Sequence, residues 1–397
     1  MSKPIQIAAG LDVGSWRVRC VLCLLEGRQI RYLSHAEAPS AGFSKGRIAD
    51  QNALAESIHR AVHCAEKRAG NGLPGGSVDS VVVGVGGVSI HGGNSHSVYE
   101  FGTPREVTQE DLTVAMGLAS RVRLEYDRMV LQVLPQGFIL DGRAGYRRPL
   151  RMTCSRLEAN VHIVTASHTE HKCLVEAIHL AHLAVEETVF EPLAAAYAAI
   201  LPDDRMRGVA LIDIGFDSSD LVIYDGDATM LAASVPVGGD LFTRDVAHWL
   251  TVGYEDAERL KHEYGCALLG LTADNTLLEV PSPEERGPRE VRRRELIEIL
   301  EARAEELFEL AYAEMTKTGM EKSLLEGIVL TGGGAGMLGM CDMAERMLNA
   351  PARNGLPVGI DGWPEDLDGP TWTTAAGLAM YSARLKTRRE GRRGGLW

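Results

Sequence analysis

Two textures alternate along the chain. The first is short apolar runs broken by small polar tips. Residues 209–212 (Val-Ala-Leu-Ile) lead into Asp213-Ile214-Gly215 and the tip Ser218-Ser219-Asp220, and a second apolar run, 221–224, closes on Asp225-Gly226. Aliphatic and β-branched runs bounded by Gly, Asp and Ser predict strand, turn, strand. The same grammar recurs over 5–31, IQIAAGLDVGSWRVRCVLCLLEGRQIR, with Asp12-Val13-Gly14-Ser15 at its tip. Two such hairpins, far apart, predict two similar lobes facing one ligand. Two ordinary hairpins in unrelated domains are the plain alternative.

The second texture is helical. Within 42–70, Asp50 is a cap, Leu54, Ile58, Ala61 and Ala65 share a face, and Gly70 ends the helix. A buried strand at 78–87 completes a β-β-β-α-β order, which predicts a sheet with a crossover helix. From 88 to 164 short strands are punctuated by Gly92-Gly93-Asn94, Gly102-Thr103-Pro104 and Asp141-Gly142, with one helix over 108–123. This reads as a small inserted subdomain. Residues 165–200 return to helix, with Glu191 set directly before Pro192 at a helix start. Beyond the central hairpin, helices are predicted over 241–250, from 256, and over 289–318, with a loop at 281–288. The long one carries the stripe Leu296, Leu300, Ala304, Leu307, Ala311, Met315 and ends at Gly319. A strand from 328 then runs into Gly332-Gly333-Gly334 and a helix over 338–348.

Length and charge narrow the class. The 397 residues suit roughly two to four subdomains. The 41 basic and 54 acidic residues leave a net charge of −13, which argues against general nucleic-acid binding. No apolar run has the length of a membrane span and residues 1–10 lack a signal-peptide core, so a cytoplasmic protein is expected. Cys20 and Cys23 form a C-x-x-C without a second pair and inside an apolar run, which favours core thiols over zinc. The spacings His168/His171 and His179/His182 have no acidic third ligand beside them, and surface or capping roles are expected.

Chemistry concentrates at the turns. In each hairpin, backbone N–H groups and hydroxyls can converge on an anion beside a carboxylate, as a phosphate with its metal requires. Glu191, held at a helix start, can orient a water or merely complement the helix dipole. Glu258 and Lys261 share a helix face and can reach a sugar or base edge, or form a simple surface ion pair. The glycine triplet lets backbone pass flat under a base or sugar. Three basic groups remain. Arg143, Arg147, Arg148 and Arg151 form either a solvated loop or a contact for an acidic partner. Arg292-Arg293-Arg294 oppose the dipole of the long helix. The end of the chain carries Arg384, Lys386, Arg388, Arg389, Arg392 and Arg393, followed by Gly394, Gly395, Leu396 and Trp397. It reads equally as an interfacial anchor or a disordered terminus.

Taken together, the two Asp-Gly hairpins, Glu191-Pro192 and Thr331-Gly-Gly-Gly334 resemble the actin-like ATPase superfamily, and within it the FtsA family of bacterial cell-division proteins. Residues 156–165, 190–197, 235–240 and 293–296 carry the closer likeness, which covers about 5–385. The resemblance implies an α/β, two-lobed actin-like fold with a small α+β subdomain inserted on the first lobe. The first lobe core would be 1–87 with 165–200, the insertion 88–164, and the second lobe core 201–240 with 328–385. The outer subdomain would be 241–327 and the basic tail 386–397. It implies ATP and Mg2+ between the lobes, with the metal held through waters by Asp12 and Asp213. Gly14, Ser15, Trp16 and Arg17 would be the first phosphate loop, and Gly215, Phe216, Asp217, Ser218 and Ser219 the second. Gly239, Glu258 and Lys261 would approach the ribose, and Gly332, Gly333, Gly334 and Met337 the adenosine, while Glu191 positions the attacking water. By the same resemblance the protein would be a polymerising scaffold rather than an enzyme, with very slow hydrolysis at most. It would lie on the inner face of the cell membrane at the septum and bind the C-terminal tail of FtsZ near 292–296. Further partners would be copies of itself, other division proteins through the insertion, and the anionic membrane surface through its tail.

The chain departs from the family at three places. The usual second loop, D-I-G-G-G-T-T-D, is here Asp213-Ile-Gly-Phe-Asp-Ser-Ser-Asp220, and Trp16 stands where a small residue is usual. The tail is short and broken by glycine. Weak nucleotide binding is therefore expected. The alternatives within the superfamily are a pilus-assembly relative and a small-molecule kinase, the second disfavoured because no unassigned Asp sits in a suitable Gly-rich context.

Overall fold

A computed structural model describes residues 5–272, 275–281, 287–319 and 324–393. Each predicted hairpin is the start of a five-stranded sheet, and the two sheets share one topology. In the first lobe the strand order is Ala184–Phe190, Ser80–Val85, Gln6–Val13, Arg17–Glu26, Gln29–Pro39. In the second it is Ala352–Asn354, Ile328–Thr331, Val209–Ile214, Ser219–Asp225, Ala228–Val235. Three strands of each sheet run antiparallel through hairpins, and two are added in parallel through helical crossovers. The central strands read as unbroken apolar runs because both faces are covered; Val209–Ile214 is buried at every position.

The chemistry follows from this register. Asp12 pairs with Arg19 across the first hairpin and Asp213 with Asp220 across the second. Both acids lie near the carboxyl ends of central strands, where ligands bind in open α/β sheets.

The inserted segment builds a separate sheet of order His91–Glu106, Thr153–Ser167, Arg128–Leu140, Arg143–Tyr146, with helix Gln109–Ala119 on one face. That helix stops short of the predicted 123, and Ser120 caps it. Its start is a reciprocal capping box. Thr108 Oγ1 accepts from the Asp111 N–H at 3.2 Å, and the Asp111 carboxylate accepts from the Thr108 N–H at 2.8 Å. Thr108→Ala is expected to cost about 1 kcal/mol, read as a lower urea midpoint for the insertion. The insertion also reaches the second lobe, where Gln136 Nε2 donates to Thr229 O at 3.0 Å and Arg147 to Asp225 O at 3.2 Å. All four arginines of the cluster are exposed, and Arg147 reaches from it to the second lobe.

Other boundaries also move. The long helix begins at Arg293, because Arg289–Arg292 is a strand paired with Leu277–Val280. Arg293 donates to Tyr264 O at 2.9 Å and Arg294 to Glu298 at 2.8 Å, so local acceptors answer the charges at the helix start. After the glycine triplet a short 3-10 turn, Gly334–Gly336, precedes the helix, which begins at Met340. Cys20 and Cys23 are fully buried core thiols. His171 Nε2 meets Thr188 Oγ1 at 3.0 Å.

The largest correction concerns the final helix, Thr373–Arg393. Expected partly in the second lobe, it packs on the first: Ala375, Ala376, Ala379 and Ala383 share a core with Ala8, Val21, Cys23 and Leu25. Small side chains on both partners let the backbones meet. The basic segment continues this helix, with Lys386 on Glu186 at 2.8 Å, Arg389 on Glu186 at 3.7 Å, and Arg384 donating to the Tyr197 hydroxyl. Gly394, Gly395, Leu396 and Trp397, like 282–286 of the predicted loop, lie outside the described residues. Among the described residues no helix is long and apolar enough to cross a membrane.

Candidate functional site

The tips of the two hairpins face each other across the cleft between the lobes. They bound a cavity of about 620 Å³ whose lining includes Asp12, Gly14, Ser15, Trp16, Arg17, Asp213, Gly215 and Phe216 at one end. Gly239, Glu258, Lys261, Gly332, Gly333, Gly334 and Met337 also line it. The fold therefore brings together nearly all of the expected site residues. The second tip is tightly held: Gly215 N–H donates to Ser218 O at 3.0 Å, Gly239 N–H to Gly215 O at 2.9 Å, and Asp240 N–H to Phe216 O at 2.9 Å.

Four carboxylates gather where the lobes meet. Asp12, Asp213 and Asp220 are buried, and Glu191 opens the helix Glu191–Ala199 with Pro192 second. Burial pushes the Asp12 carboxyl up to about 6, opposed by Arg19 and reinforced by Asp213. Burial likewise carries Asp220 up to about 7, and raises Asp213 against the hydrogen bond from Thr374 Oγ1 at 2.5 Å. Glu191 rises well above the carboxylate range, through burial first and then Asp12, Asp220 and Asp213. The nearest cation, Arg19, stands 3.8 Å from Asp12 and is shared with Glu37 at 3.2 Å. The Ser234 side chain and the Gly87 N–H, at 2.9 Å, oppose the rise at Asp220. Among the described residues no three His, Cys, Asp or Glu side chains are placed to hold a metal ion directly, so these hard oxygen donors, with little positive charge nearby, suit a divalent cation only through waters.

At the far end, Lys261 Nζ lies 2.7 Å from Glu258 and donates to Gly239 O at 3.0 Å and Thr243 Oγ1 at 2.7 Å. Burial works to raise Glu258, but bonds from His262, Lys261 and Thr243 outweigh it and hold the group at about 2. Burial pulls the Lys261 ammonium down while Glu258 pushes back. This is a half-buried, oriented pair, not the loose surface pair of the plain alternative.

Three expected roles change. Ser219 is fully buried and donates to Val237 O at 2.7 Å, so its hydroxyl serves the strand and not the cleft. Asp217 lines a second, smaller chamber of about 150 Å³ instead of the main cavity, with Gly46 packed against it. In the triplet, a Cβ on Gly332 would stand 2.3 Å from Asp213 Oδ1, and one on Gly334 2.3 Å from Ile214 Cγ2. Gly332 also has φ +84°. Their bareness is required by the neighbouring hairpin; only Gly333 has open space above it.

Trp16 and Phe216, the two bulky departures, stack on each other across the cleft with centroids 5.1 Å apart and planes 16° from parallel. Arg17 lies over the Trp16 ring at 5.9 Å.

Sequence reasoning missed several parts of the site. Asp220 carried a signal, since hairpin register sets it opposite Asp213. Gly84 and Gly86 are needed because a Cβ would come within 2.7 Å of Glu191 Cγ and 2.3 Å of Glu191 Oε2, respectively. Arg19 carried the same signal opposite Asp12, whereas Thr374 had none.

The profile for "Cell division protein FtsA" matches residues 210–377, and that for "SHS2 domain inserted in FTSA" matches 87–165. The cell division protein FtsA of Pseudomonas aeruginosa is 33% identical over 383 residues, covering 96% of this chain and 90% of that protein. That of Escherichia coli is 30% identical over 384 residues, covering 95% and 90%. A chain of the PilM-PilN type IV pilus biogenesis complex superposes with a TM-score of 0.67 at 17% identity, covering 95% of this chain and 98% of that one. MreB5 of Spiroplasma citri bound to ADP does so at 0.59 and 14% identity, covering 96% and 98%. These structures establish the actin-like fold, and their identities are too low to carry function. The sequence likeness, by contrast, runs through both lobes and the insertion, and by it the chain belongs to the FtsA family of cell division proteins.

Proposed function

We propose that the protein is a nucleotide-regulated scaffold of the division septum, binding an adenine nucleotide and Mg2+ in the interlobe cavity. One observation carries the reading: two hairpin tips converge from duplicated lobes on a group of buried carboxylates with little neighbouring positive charge. Asp12 and Asp213 would hold the cation through waters, and the cation would neutralise phosphate oxygens. The glycine tips offer backbone N–H groups to the phosphates, while Glu258 and Lys261 set the sugar.

Glu191 borders the cavity and is the residue suited to orienting a water. Burial and its neighbours Asp12, Asp220 and Asp213 raise its carboxyl. Slow turnover would suit a scaffold that uses nucleotide as a state signal. Family membership supports the remaining parts: polymerisation with copies of itself, capture of the FtsZ C-terminal tail by the outer subdomain, contacts to other division proteins through the insertion, and attachment of the basic end to anionic membrane.

Calorimetric titration with ADP and magnesium tests the cavity. Lys261→Ala is expected to weaken binding at least about tenfold, since charge-assisted hydrogen bonds contribute about 1.5–3 kcal/mol and Glu258 loses its anchor. No binding by the wild type at millimolar nucleotide would overturn the reading. Co-pelleting with the FtsZ tail tests the scaffold role, and no binding at micromolar protein would discard it.

A further inference from the structure

We propose that the Trp16–Phe216 stack is a selectivity gate that admits nucleoside diphosphates and resists triphosphates. This rests on the reading of the interlobe cavity as a nucleotide site. The cleft holds two spaces, the main cavity of about 620 Å³ and the inner chamber of about 150 Å³. Six residues border both: Gly14, Ser15, Glu191, Asp213, Gly215 and Phe216. Trp16 lines only the main cavity and Asp217 only the chamber. The stacked pair therefore stands at the junction of the two spaces.

A nucleotide with its sugar at Glu258 and Lys261 advances its phosphates toward the two tips. The first phosphates meet the glycine tips in the main cavity. A third phosphate directed at the junction meets two obstacles there. The ring centroids are 5.1 Å apart and nearly parallel, so the faces are close to van der Waals contact, about 3.5–4.0 Å between carbons, and no phosphate fits between them. The chamber beyond has Glu170, Glu191, Asp213, Asp217 and Asp220 on its wall against Arg47 and His171, so acidic groups outnumber basic ones where a further phosphate would enter. Admitting a triphosphate requires the stack to part, and the lost ring contact is charged against triphosphate affinity alone.

The test compares ADP with the non-hydrolysable triphosphate AMPPNP, each with magnesium, by calorimetry on the full chain. The wild type is expected to bind ADP at least tenfold more tightly. Phe216→Gly should bring the two affinities within about threefold of each other, mainly by strengthening AMPPNP. Trp16→Ala opens the same junction from the other lobe and serves where Phe216→Gly fails to fold, as judged by its melting curve. Equal affinities in the wild type, or a preference that survives both substitutions, overturn the gate while leaving the nucleotide site standing. Binding of neither nucleotide removes the site and the gate with it.

Discussion

Asp220→Asn is expected to raise the unfolding free energy by on the order of 3 kcal/mol at pH 8 and to leave it nearly unchanged at pH 4. Asp220 is buried opposite Asp213, with one oxygen accepting from Gly87 N–H at 2.9 Å and the Ser234 side chain offsetting part of the cost of burial. Burial carries its carboxyl from 3.8 to about 7. Below pH 4 the folded and unfolded chains both hold the proton, and the group costs nothing. Between pH 4 and 7 the unfolded chain loses the proton while the folded chain keeps it, so stability falls as pH rises. Above pH 7 the full cost of a buried charge is present. Asparagine keeps an acceptor for Gly87 and carries no charge, so its advantage should grow through that window and then level off. Chemical denaturation of both proteins at pH 4, 6 and 8 without divalent cation measures it. An advantage that does not change with pH, or a less stable variant at pH 8, would refute the assignment. A natural chain that retains such a destabilising carboxylate marks a functional site, since activity is the usual reason to keep strain of this kind.

Gly377→Val is expected to abolish accumulation of soluble folded protein. A Cβ at Gly377 would lie 1.8 Å from Ala194 O and 2.4 Å from Ala194 C, which are backbone atoms of the helix that begins at Glu191. One helix would have to move away from the other. Gly10 tells the same story from the strand beneath, where a Cβ would stand 2.3 Å from Ala379 N. The final helix is thus held by backbone-to-backbone approach on two sides, and a branched side chain at 377 forces the contact with Ala194 open. The cost should exceed about 4 kcal/mol, the range reached by severe core disruptions. Gly333→Ala is the matched control, because nothing lies within 4 Å of its added methyl, and its melting curve should match the wild type. A Gly377→Val protein that expresses solubly and melts with the wild type would show that the final helix does not pack here.

Much of the fold was legible because it is local. Hairpins 6–26 and 209–225 announce themselves through apolar runs, an Asp-x-Gly corner and a polar tip, all within one stretch of chain. Asp50 and Thr108 are helix caps in fact as in pattern, because capping involves only the next three residues. The acids Asp12 and Asp213 could be placed for the same reason: each belongs to its own turn.

What escaped depends on distant partners. Alanines and Gly377 in the final helix show that something approaches closely, but small residues carry no mark of which lobe does so. Only the folded chain pairs them with Ala8, Val21 and Ala194. Trp16 and Phe216 read separately as misfits in two phosphate loops, and their stacking exists only once the lobes face each other. The charge states of the four carboxylates are likewise collective, set by burial and by one another. Local pattern thus specified the two halves of the cleft, because a turn is encoded where it stands. Which lobe the final helix covers, and what stands between the two halves, was decided by packing between segments that the chain keeps far apart.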